Sequence, residues 1–479
     1  MIRNSGTVIR IILIGFLLVI SEACTVGPNY VPPETKLEPF HNLPDSSDRQ
    51  ASSESPPLEQ WWIGFNDPML VTVVQRSLEQ NLTLAAALAR IDQARAEATG
   101  AGAQLLPTVD LGASSTAMHQ SLEGLFGNVA KNVPTFSRNI NENVIGPLAS
   151  WEIDLFGGRR RAIAASQRLA EASESDRAGI RLTVAADTAD TYLQIRGYQV
   201  RLALAENQIS TSERLVRLVR NRHDAGVATE REIAEADAVL RQARAIVPPL
   251  RFALEQQLNR LNVLMGVQPG TYSQELTAVR EIPPIPIMPG EQHSTDMLRR
   301  RPDIIAAERR LAASNEQIGV VISDYYPKIS LTGLLGFDSL SARNFFTGGA
   351  FVALGSGAVR WRLFDFGKID AQVAQARGAN AEALIVYRQA VLRAVEDVEN
   401  ALSGLSQTQA HVVELQGETQ SLIKSRDLAD QAYRAGSIAL TDVLVAERQL
   451  LVVQDQLNAR RADTARAAVT VFRSLGGGW

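Results

Sequence analysis

Pro107–Ala113 reads PTVDLGA and Pro327–Gly333 reads PKISLTG, and the fold turns on these two runs. After Pro107, Val109, Leu111 and Ala113 alternate with Thr108, Asp110 and Gly112; after Pro327, Ile329, Leu331 and Gly333 alternate with Lys328, Ser330 and Thr332. A period of two is the signature of a strand with two unlike faces. Each run finds a return strand after a loop. Trp151, Ile153 and Leu155 alternate with Ser150, Glu152 and Asp154, while Trp361 and Leu363 alternate with Arg360 and Arg362. One face suits lipid and the other water. Trp151, Trp361, Tyr325, Tyr326, Phe156 and Phe366 fall near strand ends, where amphipathic rings settle at a membrane interface. Four strands per chain cannot close, because membrane barrels begin at about eight and an open edge in hydrocarbon leaves peptide groups unpaired. Two copies would fill their own interior, whereas three would give about twelve strands and a wider lumen. A trimer is expected.

The two hairpins belong to a larger repeat. Ala86-Ala87, Arg90 and Pro107 return as Ala306-Ala307, Arg310 and Pro327; Trp151 and Phe156-Gly157 return as Trp361 and Phe366-Gly367. Ala225-Gly226 with Glu232-Ile233 returns as Ala435-Gly436 with Asp442-Val443, and Gly266 returns as Gly476. The organisation expected is a signal peptide over 1–23, a lipid anchor and extended tether over 24–60, a first repeat over 61–266, a connector over 267–297 and a second repeat over 298–479. Pro283, Pro284, Pro286 and Pro289 keep that connector extended.

In each repeat a long, proline-free stretch rich in Ala, Leu, Arg and Glu follows the hairpin, from about Arg159 to His223 and from about Lys368 to Arg434. At 1.5 Å per residue, some 65 residues make a helix of about 100 Å. The returning segments carry Ile233, Leu240, Val247, Leu254 and Leu261, and Val443, Leu450, Leu457, Thr464 and Val471, both spaced by sevens. Such a stripe is a coiled-coil seam. Pro248-Pro249 is expected to kink the first returning helix. Arg159, Arg160, Arg161 and Lys368 open helices against the macrodipole, and contact with lipid headgroups is expected to compensate them.

The chain ends constrain function less than the middle. Arg3 and Arg10 flank a secretory-type start, with Ile11 to Ile20 apolar apart from Gly15. The single cysteine, Cys24, follows Ala23 where lipoproteins are acylated, although Glu22 departs from the usual preceding residues. Since no other apolar run reaches membrane-spanning helix length, crossing a membrane falls to strands. In 479 residues the net charge is only -4, which gives nucleic acid no basic surface. His41, His119, His223, His293 and His411 are scattered, without the spacing of a metal site or a nucleophile and its base. No metal, cofactor or enzymatic activity is expected.

Leu298-Arg299-Arg300-Arg301-Pro302-Asp303-Ile304, continued by Ala306, Ala307, Glu308, Leu311 to Ala313, Ile318, Gly319 and Pro327, is similar to a segment of the TolC-type outer-membrane efflux proteins. Cys24 to Tyr30, and Trp61-Trp62 with Phe65, Asp67, Pro68 and Leu70, resemble N-terminal motifs of the lipoprotein branch paired with resistance-nodulation-division pumps. The resemblance implies a membrane α+β fold: a trimeric twelve-strand outer-membrane β-barrel continuous with a periplasmic α-helical barrel built from two internal repeats. It implies a passive, gated exit duct for small molecules, extending into the periplasm and working with a periplasmic membrane-fusion adaptor and an inner-membrane pump. A type I protein-secretion conduit and a periplasmic coiled-coil scaffold are the alternatives. On the matching positions, Asp442, its repeat counterpart Glu232, and Tyr433 are expected at the periplasmic gate, whereas Ile438 and Val445 stand where related channels can carry an arginine and a second aspartate. Gly226 and Gly436 are expected in turns that adaptor tips would meet.

Overall fold

Pro107 and Pro327 do end helices and release strands. The structure is a computed structural model describing residues 25–34, 38–42, 58–124, 127–128, 133, 137–287 and 298–478. The element order is α1 (Pro68–Gln80), α2 (Leu82–Ala103), β1 (Thr108–His119), β2 (Asn139–Ile153), α3 (Gly158–Asp224), α4 (Glu230–Leu264), α5 (Pro302–Ile322), β3 (Lys328–Ser339), β4 (Phe351–Arg360), α6 (Lys368–Arg434) and α7 (Leu440–Ser474). The chain divides into two compact units: Met1–Pro33 with Asp92–Ala172 and Glu308–Val386, and Glu34–Ile91 with Ser173–Ala307 and Tyr387–Trp479. Among the described residues no helix is long and apolar enough to cross a membrane.

The first unit holds one antiparallel sheet in the order β1-β2-β3-β4. Its register pairs Val109 with Ala149, Ala149 with Gly333, and Ile329 with Val359, so odd-numbered residues share one face through all four strands. Every charged side chain of the four strands, Asp110, Glu142, Glu152, Lys328, Asp338 and Arg360, is even-numbered and lies on the other face. Val109, Leu111, Leu331, Leu335, Phe351 and Val359 are exposed on the uncharged face. A central strand ordinarily excludes proline, which cannot donate to the ladder, yet Pro147 lies in β2. The β2–β3 pairing accordingly lapses between Ile145 and Leu148 and resumes in the same register. Gly146 and Gly336 close in there: a Cβ on Gly146 would stand 2.2 Å from the Leu335 carbonyl oxygen. Among the described residues, β1 and β4 each have a partner on one side only.

The second unit is helical and holds most of α3 and α6 with the whole of α4 and α7. α3 and α6 are 67 residues each and α4 and α7 are 35 each, the equality expected of a repeat. The sevenfold stripe is the buried seam: Leu240, Val247 and Leu261 on α4, and Val443, Leu450, Leu457, Thr464 and Val471 on α7, are buried. Ile233 and Leu254 pack partly buried against neighbouring clusters. Leu202 and Ala205 of α3 meet Val247 and Leu250 of α4, while Leu415 of α6 meets Val453 and Leu457 of α7. Each fully buried leucine contributes about 1.5–3 kcal/mol. α4 runs from Glu230 to Leu264 through Pro248 and Pro249 without interruption. Both prolines and the preceding Arg244 and Ala245 are exposed, so water can satisfy the carbonyls that lose their donors.

The arginine-proline-aspartate run has a structural use. Arg301, 8% exposed, donates to the Ser474 carbonyl oxygen at 2.8 Å, to Asp303 at 2.8 and 3.1 Å and to Asp397 at 2.9 Å, tying the start of α5 to the end of α7. At the corresponding place in the first repeat, Asn81 Nδ2 donates to the Leu264 carbonyl oxygen at 2.8 Å, while Asn81 Oδ1 caps α2 by accepting from Thr83 and Leu84. Two different side chains therefore serve equivalent helix joints.

Candidate gate and docking tips

Each helical hairpin of the second unit turns on a glycine in the left-handed region, Gly226 at φ +75° and Gly436 at φ +74°. The Val227 N–H donates to the Arg222 carbonyl at 2.8 Å, and the Ser437 N–H to the Ala432 carbonyl at 3.0 Å. These six-to-one bonds are Schellman motifs, which need a residue at positive φ and so favour glycine. Nothing lies within 4 Å of a Cβ at either position, so only the backbone angle demands glycine there.

The two acidic residues expected at the gate both cap the returning helices. Thr229 Oγ1 accepts the Glu232 N–H at 3.3 Å, and Glu232 Oε2 accepts the Thr229 N–H at 2.7 Å, a complete capping box. The Thr229 backbone and hydroxyl hold the Glu232 carboxyl below the usual carboxylate range. Ala439 has no side-chain oxygen, so the second hairpin keeps half of the arrangement: Asp442 Oδ2 accepts the Ala439 N–H at 3.3 Å. Asp442 is exposed and Glu232 half-buried.

Tyr433 joins the hairpins. Its hydroxyl is hydrogen-bonded by Arg222 Nη1, and the Arg222 guanidinium lies 4.9 Å from its ring centroid. The ring also packs against a cluster of Val216, Val219, Ala236, Leu240, Leu440 and Leu444, drawn from α3, α4 and α7. Thr441 Oγ1 donates to Glu235 at 3.0 Å, a second polar bond between α7 and α4. Arg222 and Glu235 are the residues that sequence reasoning missed. Arg222 carried no signal beyond lying before a turn, and its partner is 211 positions away.

In the first unit, the four residues expected at a membrane interface gather at the foot of the sheet. Trp151 Nε1 donates to the Leu105 carbonyl at 2.8 Å and Trp361 Nε1 to the Tyr325 carbonyl at 2.9 Å, the same bond in both repeats. Tyr326 stacks on Phe156 with centroids 4.6 Å apart, and Tyr325 bonds Asp370. A second aromatic group, Phe337, Phe345, Phe346 and Phe351, lies at the far end of β3 and β4. The 12 residues of β3 separate the two belts. At about 3.3 Å each and a tilt of about 40° they span roughly 30 Å, a hydrocarbon thickness.

The headgroup expectation for the arginine triplet is corrected, because each has protein partners. Arg159 donates to the Gln104 carbonyl at 2.6 Å, Arg160 pairs with Asp154 at 3.3 Å, and Arg161 is buried against Glu316 at 2.7 Å. Three consecutive helix positions point in directions about 100° apart, so a run that looks like one charged patch is split among different neighbours. Cys24 lies outside the described residues. Among the described residues, no group of three His, Cys, Asp or Glu side chains is placed to hold a metal ion.

The family model described as outer membrane efflux protein matches residues 73–267 and 294–477. The pyoverdine export outer membrane protein OpmQ of Pseudomonas aeruginosa is 31% identical over 430 residues, covering 89% of each chain. Among solved structures, the outer-membrane channel OprN superposes with a TM-score of 0.86 at 32% identity, covering 95% of this chain and 100% of that one. The Neisseria gonorrhoeae MtrE outer membrane channel in its open state superposes with a TM-score of 0.81 at 26% identity, covering 95% and 98%.

Proposed function

The chain belongs to the outer membrane efflux protein family, and on that premise we propose that three copies close one membrane barrel with their sheets and one periplasmic gate with their helical tips. It is an outer-membrane channel of a tripartite efflux system, reaching into the periplasm. The observation that carries the reading is the sheet: all its charges lie on one face, the other face is uncharged and exposes Val109, Leu111, Leu331, Leu335, Phe351 and Val359, and among the described residues both edges lack a partner. An exposed apolar face flanked by aromatic belts is stable in lipid, and its open edges demand neighbouring copies. The charged face then lines water.

At the tips, Asp442 and Glu232 ring the constriction, and the Arg222–Tyr433 bond holds the two hairpins of a protomer together in the closed state. A ring of carboxylates repels itself and selects cations where water is scarce. The exposed turns at Gly226 and Gly436 meet the periplasmic adaptor, whose inner-membrane resistance-nodulation-division pump supplies the driving force and selects the cargo. Acylation of Cys24 adds a lipid anchor. Conductance of purified trimers in planar lipid bilayers tests the reading: Asp442→Ala removes that carboxylate repulsion, so it is expected to open less readily and to lose cation selectivity. A variant trimer with unchanged opening and selectivity removes Asp442 from the gate.

A further inference from the structure

The joint between β2 and β3, at the middle of the sheet, shows what the two edges lack. β1 ends its pairing at Thr108 and Ser150, and beyond it Trp151, Glu152 and Ile153 of β2 are held by Leu331, Ser330 and Ile329 of β3 alone. Their counterparts in the second repeat are Trp361, Arg362 and Leu363, which keep the alternation of a strand. Among the described residues no strand lies beside them, and β4 stops at Arg360, opposite Lys328. Trp361 and Leu363 are exposed. A strand pattern without strand conformation marks a missing neighbour, because nothing supplies the ladder that would hold it.

The rings agree. Within the chain Phe156 stacks on Tyr326, with centroids 4.6 Å apart. Phe366 is the counterpart of Phe156, and Leu106, which precedes Pro107, is the counterpart of Tyr326, which precedes Pro327. Phe366 and Leu106 are both exposed. Phe366 also sits at φ +54°, a conformation that side chains other than asparagine and aspartate rarely adopt, whereas Phe156 does not.

The repeat keeps register as well as order, since the Thr108–Ser150 pair of the first hairpin returns as Lys328–Arg360 in the second. Carried over in the same way, the β2–β3 pairing sets β4 beside β1 of a neighbouring copy. Trp361 then faces Leu111, Leu363 faces Val109 and Val359 faces Ala113, so the uncharged face continues across the joint. Glu152 opposite Ser330 becomes Arg362 opposite Asp110. Both of these side chains are exposed, and among the described residues neither has a side-chain hydrogen bond or ion pair.

We propose that the β2–β3 joint is the template for the joint between copies, and that Arg362 of one copy and Asp110 of the next form the ion pair that fixes its register. This rests on the shared-barrel reading above and adds the residues through which one copy recognises another. β1 against β1 would put the Asp110 carboxylates of both copies on one seam, and β4 against β4 would gather Arg360 and Arg362 of both; like charges facing each other destabilise a ladder. A slip of one residue turns every side chain to the wrong face. A slip of two keeps the faces but moves Asp110 opposite Arg360 and takes Phe366 away from Leu106. One exposed ion pair is weak, but the barrel closes only when all of its seams form, so the effect is multiplied.

The test uses full-length protein expressed in cells and reads the fraction of chain in heat-modifiable trimer. Asp110→Arg and Arg362→Asp each set like charges across the seam and are expected to lower that fraction several-fold. The exchange Asp110→Arg/Arg362→Asp is expected to restore it, and Asp110→Arg/Arg360→Asp to restore it less. Rescue must act between copies, since β2 and β3 separate β1 from β4 of one chain by about 14 Å. Register is read independently of charge by disulfide trapping in a Cys24→Ser background: Ala113→Cys/Val359→Cys should crosslink between copies and Leu111→Cys/Val359→Cys should not. Single variants that assemble like wild type, or an Arg362 exchange that rescues nothing, overturn the ion pair. Equal rescue through Arg360, or trapping at Leu111 in place of Ala113, overturns the register. A wild-type chain that stays monomeric sinks the shared-barrel reading itself, and the wild-type sample reports that separately.

Discussion

Replacing Tyr433 by phenylalanine is expected to shift the channel towards its open state by an amount the tip geometry sets. The substitution removes the hydroxyl that accepts from Arg222 and keeps the ring 4.9 Å from the guanidinium, so packing and the cation–π contact survive. A hydrogen bond to a charged group is worth about 1.5–3 kcal/mol when buried, and half-exposure of both residues lowers this to about 1 kcal/mol. Three copies opening together lose about 3 kcal/mol of closed-state preference, roughly a hundredfold in the opening equilibrium. Single-channel recording of purified Tyr433→Phe trimers in planar bilayers reads this directly as open fraction. In a double-mutant cycle with Arg222→Met, the second substitution should add little to the first. If Tyr433→Phe trimers open within about twofold of wild type, or if the two substitutions act additively, the bond does not restrain the gate.

Arg301→Ala leaves the buried Ser474 carbonyl without its donor, at about 1–3 kcal/mol, while half-exposed Asp303 and Asp397 find water; thermal unfolding by circular dichroism should occur several degrees below wild type, with Asn81→Ala lowering it less. Gly146→Val would drive a side chain into the Leu335 carbonyl, so it should abolish heat-modifiable trimers in membrane extracts, whereas Gly355→Val, where a Cβ meets nothing within 4 Å, should assemble. Because the folded Glu232 carboxyl is held below its ordinary range, the box stabilises α4 above the unfolded carboxylate pKa and loses that stabilisation as pH falls through the lowered folded value. Exchange of the Thr229 amide, corrected for intrinsic rates, should therefore accelerate in acid for wild type and lack that pH step in Glu232→Gln.

The features legible in the sequence are those that repeat at short range. Alternation after Pro107 and Pro327 marked β1 and β3, but the return strands lie earlier than the alternation at Trp151 and Trp361 suggested, since β2 ends at Ile153 and β4 at Arg360; sevenfold spacing marked Leu240, Val247, Leu450 and Leu457 as seam residues, and Gly226 and Gly436 marked the turns. Even the helix termini followed, because proline, glycine and the heptad period act locally. Long-range partners were hidden. Arg222 finds Tyr433 only after both hairpins have packed, and Arg161 looks like one member of a headgroup-facing triplet until α5 supplies Glu316. Pro248-Pro249 illustrates another limit: the cost of proline in a helix depends on whether freed carbonyls reach water, which one sequence does not reveal. The capping role of Glu232 was readable in Thr229-x-x-Glu232, and it is compatible with the place at the constriction proposed for this residue, which is only half-buried.

The most direct test of edge closure is disulfide trapping between β1 and β4 of neighbouring copies. Cysteines are placed one at a time along Val109–Ala113 and paired with cysteines along Gly355–Val359, in a Cys24→Ser background, and the unheated membrane fraction is examined for crosslinked products. Among the described residues both edges lack an internal partner, so the account predicts that register-matched pairs yield covalent dimers and trimers that stop at three. A detergent-stable folded monomer in which every such pair stays reduced, or ladders that continue past three copies, would contradict it.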